Sequence, residues 1–204
     1  MNYIIDGRTM KAADHYTIET IGIPSLVLME RAALQVVETV KKEKIDITRS
    51  LIVCGSGNNG GDGIAVGRLL LEKGAKVTVV LAGNPDHCTE EAKEQIRIFQ
   101  AIGGTVEREI PQESYTAVFD ALFGIGLSRK VEGRYAGILE RMNEMEAAKV
   151  AVDIPSGIDS STGEVLGTAF QADLTVTFAY LKTGMALFPG ALYAGNVQVR
   201  DIGI

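Results

Sequence analysis

Five polar side chains in this sequence have the types and positions to bind an anion and move a proton: Asn58, Asn59, Asp62, Asp120 and Asp153. Each stands at or just beyond a short apolar run. Leu51–Cys54 leads into Gly55-Ser56-Gly57-Asn58-Asn59-Gly60-Gly61-Asp62-Gly63, Ala117-Val118-Phe119 leads into Asp120, and Val150-Ala151-Val152 leads into Asp153. A strand that ends in a glycine loop opening onto a helix offers backbone N–H groups and the positive end of the helix dipole to a phosphorylated ligand. Glycine lets that loop turn tightly and approach the ligand closely. In a parallel sheet all C-terminal strand ends share one edge, so residues remote in sequence converge there.

The loop satisfies G-x-G-x-x-G through Gly55, Gly57 and Gly60, the dinucleotide fingerprint. The NAD-binding version requires an acid near the end of the next strand to hold the ribose. That strand ends Leu81-Ala82-Gly83-Asn84, with no acid before Asp86, which disfavours an ordinary NAD(P)-dependent oxidoreductase. No G-K-[ST] follows the glycines, so the loop is not a P-loop. A tight structural turn alone does not need two asparagines and an aspartate. In the second segment, Asp120 to Lys130, Gly124 and Gly126 make an N–H-rich loop. Arg129, Lys130 and Arg134 add positive charge suited to an anion, although a solvated loop accounts equally well for Lys130 and Arg134. In the third, Asp153-Ile154-Pro155-Ser156-Gly157, Pro155 and Gly157 shape a turn. Asp159 is read as a cap or turn residue. Asn59, Asp120 and Ser156 provide oxygen donors of the kind hard cations take. Carboxylates are too few for Ca²⁺, and no His or Cys cluster supports zinc; a monovalent cation fits the donor set. His15 and His87 are read as structural or solvated.

These residues need a scaffold of strands and helices. Met10, Ala13, Thr17, Ile18 and Ile21 recur at helical spacing before Gly22, and Leu26, Met29, Ala33, Val36, Val37 and Val40 form a second apolar face after Pro24. The helix after the glycine loop is read from Ile64 to Leu71. Val77 to Leu81 reads as a strand, Thr89 as the N-cap of a helix carrying Ile96, Phe99 and Ile102, and Thr105-Val106 as an edge strand. A helix is read over residues 138–145, and further strands over 174–178 and 197–199. Short apolar strands alternating with amphipathic helices imply an α/β fold, a parallel sheet covered on both faces, in one domain spanning 1–204.

Composition narrows the function classes. The chain has 204 residues, 46% hydrophobic and 23% charged, an ordinary globular balance. Its net charge of −6 argues against nucleic acid or anionic membrane as the main partner. The opening Met1 to Asp6 reaches an acid before any long apolar run, no segment is long enough to span a membrane, and Cys54 and Cys88 form no metal-like pair. The profile is cytoplasmic, with Cys54 as a buried thiol and Cys88 as a reduced loop cysteine.

On these motifs the chain resembles the NAD(P)H-hydrate epimerase family, the YjeF N-terminal domain, over nearly its whole length. The resemblance rests on Met10-Lys11-Ala12-Ala13-Asp14, on Gly22 to Ala33, on Asn58-Asn59-Gly60-Gly61-Asp62-Gly63, on Asp120 to Arg129, on Val152 to Gly157 and on Phe178-Ala179-Tyr180-Leu181-Lys182. It implies a Rossmann-like three-layer α/β/α sandwich, commonly a homodimer, that interconverts the R and S epimers at C6 of hydrated NADH or NADPH. An S-specific dehydratase would consume the product, and both a stand-alone protein and one domain of an epimerase–dehydratase fusion fit the chain. By resemblance, Asn58, Asn59, Gly60, Gly61, Asp62, Gly124, Ile125, Gly126, Leu127, Ser128, Arg129 and Lys130 contact the hydrate. Asp153 contacts its reactive end and acts as the acid/base, and Asn59, Asp120 and Ser156 bind K⁺. Arg129 or Lys130 suits either a 2′-phosphate or the pyrophosphate. The competing class is a non-catalytic nucleotide-binding module on the same fold, in which the glycine loop or the Asp153–Gly157 turn would be eroded; here both are whole. The N-terminal helices, with apolar faces wider than one sheet needs, are the expected dimer surface.

Overall fold

The computed structural model describes residues 3–204; Met1 and Asn2, the start of the opening read above as free of a signal peptide, lie outside the described residues. In chain order the elements are β1 (Ile4–Ile5), α1 (Gly7–Tyr16), a π-helical turn (Thr17–Ile21), α2 (Ser25–Lys42), β2 (Arg49–Cys54), α3 (Asn58–Glu72), β3 (Lys76–Leu81), a 3-10 turn (Pro85–His87), α4 (Glu90–Ala101), β4 (Val106–Glu107), β5 (Ala117–Ala121), α5 (Gly133–Glu144), β6 (Ala148–Val152), β7 (Leu174–Phe178), β8 (Leu181–Lys182), the short helices α6 (Thr183–Ala186) and α7 (Gly190–Tyr193), and β9 (Asn196–Arg200). Among the described residues, no helix is long and apolar enough to cross a membrane.

Seven strands form one sheet in the order β4-β3-β2-β5-β6-β7-β9, and every neighbouring pair is parallel. β1 and β8 make a separate parallel pair. The central strands are apolar at successive positions because both faces are covered. Ile52, Cys54, Phe119, Val150 and Val176 pack with Val36, Val40, Ile64, Leu70 and Phe99 from α2, α3 and α4. Leu51, Val53, Val118 and Ala151 point the other way, onto Leu139 and Met142 of α5 and onto Phe170. The result is the three-layer α/β/α arrangement expected from the alternation of strands and helices.

Local chemistry sets the helix ends. Asp6 caps α1 by accepting from the Thr9 N–H, and Thr89 caps α4 through the Ala92 N–H, with Glu90 and Glu91 in the first turn, where negative charge meets the positive helix end. Gly22 stops the first helical run in the left-handed region at φ 86°, the expected stop. Two helices begin earlier than their sequence pattern indicates. α3 starts at Asn58 rather than Ile64, and α5 at Gly133 rather than 138. Glycine is a poor helix former, so the run from Gly60 to Gly63 reads as loop. Packing overrides that preference: a Cβ on Gly63 would lie 2.4 Å from Ala121 Cβ and 2.9 Å from Cys54 Sγ. Only glycine lets α3 lie this close to β2 and β5.

From β2 the chain moves to β3 and β4 on one side, then returns to place β5, β6, β7 and β9 on the other. The strand order therefore reverses between β2 and β5. At such a switch point the connections leave in opposite directions and open a crevice beyond the carboxyl ends of the strands.

Candidate active site

A cavity of about 770 Å³ fills that crevice, within the size range of small-molecule and cofactor sites. Its floor is the ends of β2, β5 and β6. One wall is the glycine loop and the start of α3, with Gly55, Asn58, Asn59 and Asp62. Another is the loop after β5, Leu122 to Arg129, with Tyr135. A third comes from α1 and the π turn, with Met10, Lys11, Asp14 and Ile18.

The glycine loop is held close to the next strand end. A Cβ on Gly55 would stand 2.0 Å from the Leu122 carbonyl oxygen, so the backbones of the two loops touch. Gly57 precedes α3 in extended conformation, and the first-turn N–H groups of α3 open beside the cavity. No acidic side chain from the end of β3 is among the residues that line it.

Asp120 sits inside β5 and is fully buried. Its carboxylate accepts from the Ser156 hydroxyl at 2.7 Å, the Ser156 N–H at 2.7 Å and the Leu122 N–H at 3.2 Å. The Ser156 hydroxyl in turn accepts from the Phe123 N–H at 2.9 Å. Burial pushes the Asp120 carboxyl up to about 6, against the opposing pull of those hydrogen bonds. Beside this group, both polar atoms of the Asn59 side chain are buried without a partner; a buried amide left unmade costs about 1–3 kcal/mol. Asn59 packs against Gly124, where an added Cβ would meet Asn59 Cβ at 3.2 Å. The buried carboxylate, the hydroxyl and the orphaned amide each offer an oxygen of the kind a monovalent cation takes. Among the described residues, no cluster of three or more His, Cys, Asp or Glu side chains is arranged to hold a metal.

Asp153 follows β6 in the left-handed region, at φ 69°, a conformation that costs a non-glycine residue energy and that the surroundings must enforce. Its N–H donates to the Val176 carbonyl at 2.8 Å. Its Oδ1 accepts from Lys182 Nζ at 2.5 Å, Thr177 Oγ1 at 3.1 Å and the Phe178 N–H at 3.3 Å. Lys182 is 1% exposed and Asp153 is 9% exposed. The lysine spends its other N–H bonds on Thr177 Oγ1 and the Phe178 carbonyl, both at 2.8 Å. The turn through Ala179, at φ 60°, brings Lys182 back to the strand end it left. Among the described residues these donors converge on Oδ1, which leaves Oδ2 to a ligand in the cavity.

Two further carboxylates share this field. Asp62 is held well above the usual carboxylate range, first by burial and then by the negative charges of Asp153 and Asp14. Asp14 is also raised, by burial and then by Asp153, with His15 and Lys182 opposing.

The residues singled out by sequence fall into two groups. Asn58, Asn59, Asp62, the stretch from Gly124 to Arg129 and Asp153 line the cavity, whereas Gly60, Gly61 and Lys130 do not. Gly60 and Gly61 are buried in packing, the latter against Met29, and Lys130 is exposed. Arg134 turns away to bond the carbonyls of Ala82 and Arg108 and the Glu109 carboxylate. Asp120 and Ser156 meet directly behind the cavity. Asp159 is a turn residue, accepting from the Ser161 and Thr162 N–H groups. Cys54 and Cys88 are free and buried; burial pushes both thiols up, so neither is poised as a nucleophile. Sequence reasoning assigned no role to Lys182 or Asp14. For Lys182 the available signal is a lysine four residues beyond the end of an apolar strand. For Asp14 it is a place in the Met10–Asp14 motif of the resemblance; amphipathic patterning gives none, since the polar face of a helix reads as solvated.

Known proteins match this chain over most of its length. Residues 25–184 match the family model described as "YjeF-related protein N-terminus". Curated relatives named NAD(P)H-hydrate epimerase match almost end to end. The one from Limosilactobacillus reuteri (strain DSM 20016) is 47% identical over 98% of this chain and 96% of its own length. The one from Weissella koreensis is 40% identical over 100% of this chain and 93% of its own, and that from Oenococcus oeni is 43% identical over 94% and 92%. The crystal structure of yeast ynu0 superposes with a TM-score of 0.81 at 19% identity, covering 98% of this chain and 88% of that one, which shows a shared fold.

Proposed function

This chain belongs to the NAD(P)H-hydrate epimerase family, the YjeF-related N-terminal domain, and from that premise we propose that it interconverts the R and S epimers of hydrated NADH and NADPH with Asp153 as the acid/base. The observation that carries the assignment is the Asp153 carboxylate, anchored through Oδ1 by Lys182, Thr177 and the Phe178 N–H at the floor of a nucleotide-sized cavity beside the glycine loop.

The hydrate carries a hydroxyl at C6, next to ring nitrogen N1. Protonation of that hydroxyl lets the C6–O bond break and water depart, while the N1 lone pair forms a C6=N1 bond. When water returns to C6, the π electrons go back to N1 and the attacking water gives its proton to a carboxylate. Attack from the other face inverts the centre. General acid–base help of this kind is worth about 10²–10⁴-fold in rate. Lys182 keeps one Asp153 oxygen fixed so that the other is presented to the C6 hydroxyl, and its positive charge balances one of the three carboxylates around it. The N–H groups of the glycine loop and the start of α3, with Arg129 and Lys11 at the cavity wall, suit the pyrophosphate.

Asn59, Asp120 and Ser156 would hold K⁺, the orphaned Asn59 amide being the group most in need of it. When bound, the ion supplies positive charge that offsets Asp120 and ties together the glycine loop, the loop after β5 and the Asp153–Gly157 turn. The S epimer would pass to an S-specific dehydratase. Exposed Tyr16, Ile21, Leu26, Val27 and Leu34 on the N-terminal helical segments are the apolar surface that a homodimer would bury.

The test is a coupled assay on the purified R epimer of NADH hydrate with an S-specific dehydratase in excess, following recovery of NADH absorbance in K⁺ buffer. The expected result is acceleration over the spontaneous rate that is lost in Asp153→Asn. No acceleration by the folded protein refutes the epimerase reading, and full activity in Asp153→Asn refutes the role of Asp153.

A further inference from the structure

An epimerase that works by loss and return of water must handle a hydroxyl on each face of a flat ring. In the R epimer the hydroxyl projects from one face of C6, and in the S epimer from the other. A single carboxylate fixed on one side serves only one of them without the ring turning over in the site. Asp153 is such a group: its backbone is strained into one conformation and one oxygen is fully engaged.

We propose that Asp14 is the second acid–base group of the reaction, acting on one face of the nicotinamide ring while Asp153 acts on the other; this rests on the epimerase reading above. Asp14 reaches the cavity from α1, in line with Met10 and Ile18 at four-residue spacing. That wall is separate from the strand end that carries Asp153. Asp14, Asp153 and Lys182 nonetheless line one cavity, and Asp14 lies within the field of both the Asp153 carboxylate and the Lys182 ammonium. Asp14 is half-buried, and among the described residues it interacts with its neighbours through charge, with no hydrogen bond tying its carboxylate elsewhere. Its tendency to hold a proton, raised by burial and by Asp153, is what a donor needs.

The cycle balances. In one direction Asp14 enters protonated and gives its proton to the departing hydroxyl. The C6–O bond breaks, water leaves from that face, and C6=N1 forms. A water on the other face adds to C6, the π electrons return to N1, and Asp153 takes the released proton. One water is lost and one gained, and the proton has moved from Asp14 to Asp153. The enzyme is then set for the reverse reaction, and proton exchange with solvent resets it. Asp62 belongs to the same field but rises from α3 over the glycine loop, the part of the cavity assigned above to the pyrophosphate.

The experiment separates return of water to the same face from return to the opposite face. Each purified epimer of NADH hydrate is incubated with the full chain in heavy-oxygen water containing K⁺. Label uptake at C6 is followed by mass spectrometry, and the epimer ratio by chromatography, both corrected for the spontaneous rates. In Asp14→Asn, epimerisation is expected to fall at least about 100-fold, while one epimer continues to take up label without inverting, within about ten-fold of the wild-type rate. Asp153→Asn is expected to show the same behaviour with the other epimer. Asp14→Glu, which keeps a carboxylate, is expected to recover part of the inversion, and Asp62→Asn to raise KM with no one-sided exchange. The proposal is overturned by epimerisation within about three-fold of wild type in Asp14→Asn, by equal loss of label uptake for both epimers, or by one-sided exchange appearing in Asp62→Asn instead. If Asp14→Asn fails to fold in a far-UV melt, Asp14→Ser is read by the same criteria. Failure of the wild-type chain to epimerise either epimer sinks the epimerase reading itself, a different outcome from indifference to Asp14.

Discussion

Replacing Lys182 with methionine removes the charge and keeps much of the shape, which makes it the sharpest probe of how the site is held. Lys182 is 1% exposed and donates to Asp153, Thr177 and the Phe178 carbonyl. In Lys182→Met the Asp153 carboxylate, 9% exposed, loses its cation, and the Phe178 carbonyl loses a donor. Removing one partner of a buried ion pair costs about 3–5 kcal/mol, because the remaining charge is left desolvated and unmatched. That is a large share of the roughly 5–15 kcal/mol by which a domain is stable. Replacing both charges removes the unmatched group, so Asp153→Asn combined with Lys182→Met is expected to be more stable than Lys182→Met alone. Asparagine is the right partner substitution because Asp153 sits at φ 69°, a region asparagine tolerates. The measurement is urea unfolding of wild type, both single variants and the double variant. It is followed by far-UV circular dichroism, since the chain contains no tryptophan. The expected coupling between the two positions is about 2 kcal/mol or more. A cost for Lys182→Met below about 1 kcal/mol, or additivity within about 0.5 kcal/mol, would show that the ion pair does not hold the strand end and that Asp153 is positioned by its backbone alone.

Three other outcomes follow from particular contacts. Gly55→Ala places a Cβ 2.0 Å from the Leu122 carbonyl oxygen and should destabilise by about 1–3 kcal/mol while lowering kcat/KM in the coupled assay; unchanged activity would mean the two loops need not touch. Asp120, with its folded pKa raised from 3.8 to about 6, holds a proton more tightly folded than unfolded. Its contribution is therefore favourable below about pH 4 and is lost as pH rises to about 6, a swing of about 3 kcal/mol. In a K⁺-free buffer with tetramethylammonium as the cation, wild type should accordingly lose stability relative to Asp120→Asn over that window, and added K⁺ should stabilise wild type more at pH 7.5 than at pH 5. A stabilisation by K⁺ independent of pH would remove Asp120 from the ion's ligands. Phe99, fully buried between α4 and the sheet and absent from the cavity lining, should cost about 3–5 kcal/mol on Phe99→Ala with the KM for hydrate unchanged below the melting transition.

The sheet and its functional edge were readable from sequence because they depend on local signals. Runs of three to five residues, mostly apolar and flanked by polar or glycine punctuation, mark strands buried on both faces. Parallel connection then places Cys54, Asp120 and Asp153 at one edge without any knowledge of distance. The glycine loop was readable as a ligand loop but not as the start of α3. The helical propensity of Gly60, Gly61 and Gly63 is poor, and what overrides it is contact with Met29, Ala121 and Cys54, residues as far as 58 positions away in the case of Ala121. Arg134 shows a different limit. Its charge leaves open both an anion site and a solvated loop, and its fork instead bonds the carbonyls of Ala82 and Arg108 and the Glu109 carboxylate, a use of arginine that no spacing rule reports.

Lys182 and Asp14 were passed over for one shared reason. Amphipathic patterning separates apolar from polar faces, but it does not separate a polar face turned to bulk water from one turned to a cavity. On α1, the exposed residues Arg8 and His15 and the cavity-facing Asp14 all belong to the polar part of one helix. Only the tertiary position of that helix over the strand ends gives Asp14 a different medium, one in which burial and the neighbouring Asp153 raise its affinity for a proton. Three carboxylates around a single lysine would repel one another if all were ionised. Burial and that repulsion raise the proton affinity of Asp14 and Asp62, and carboxylates of unlike proton affinity on separate walls are the equipment an inversion at C6 requires.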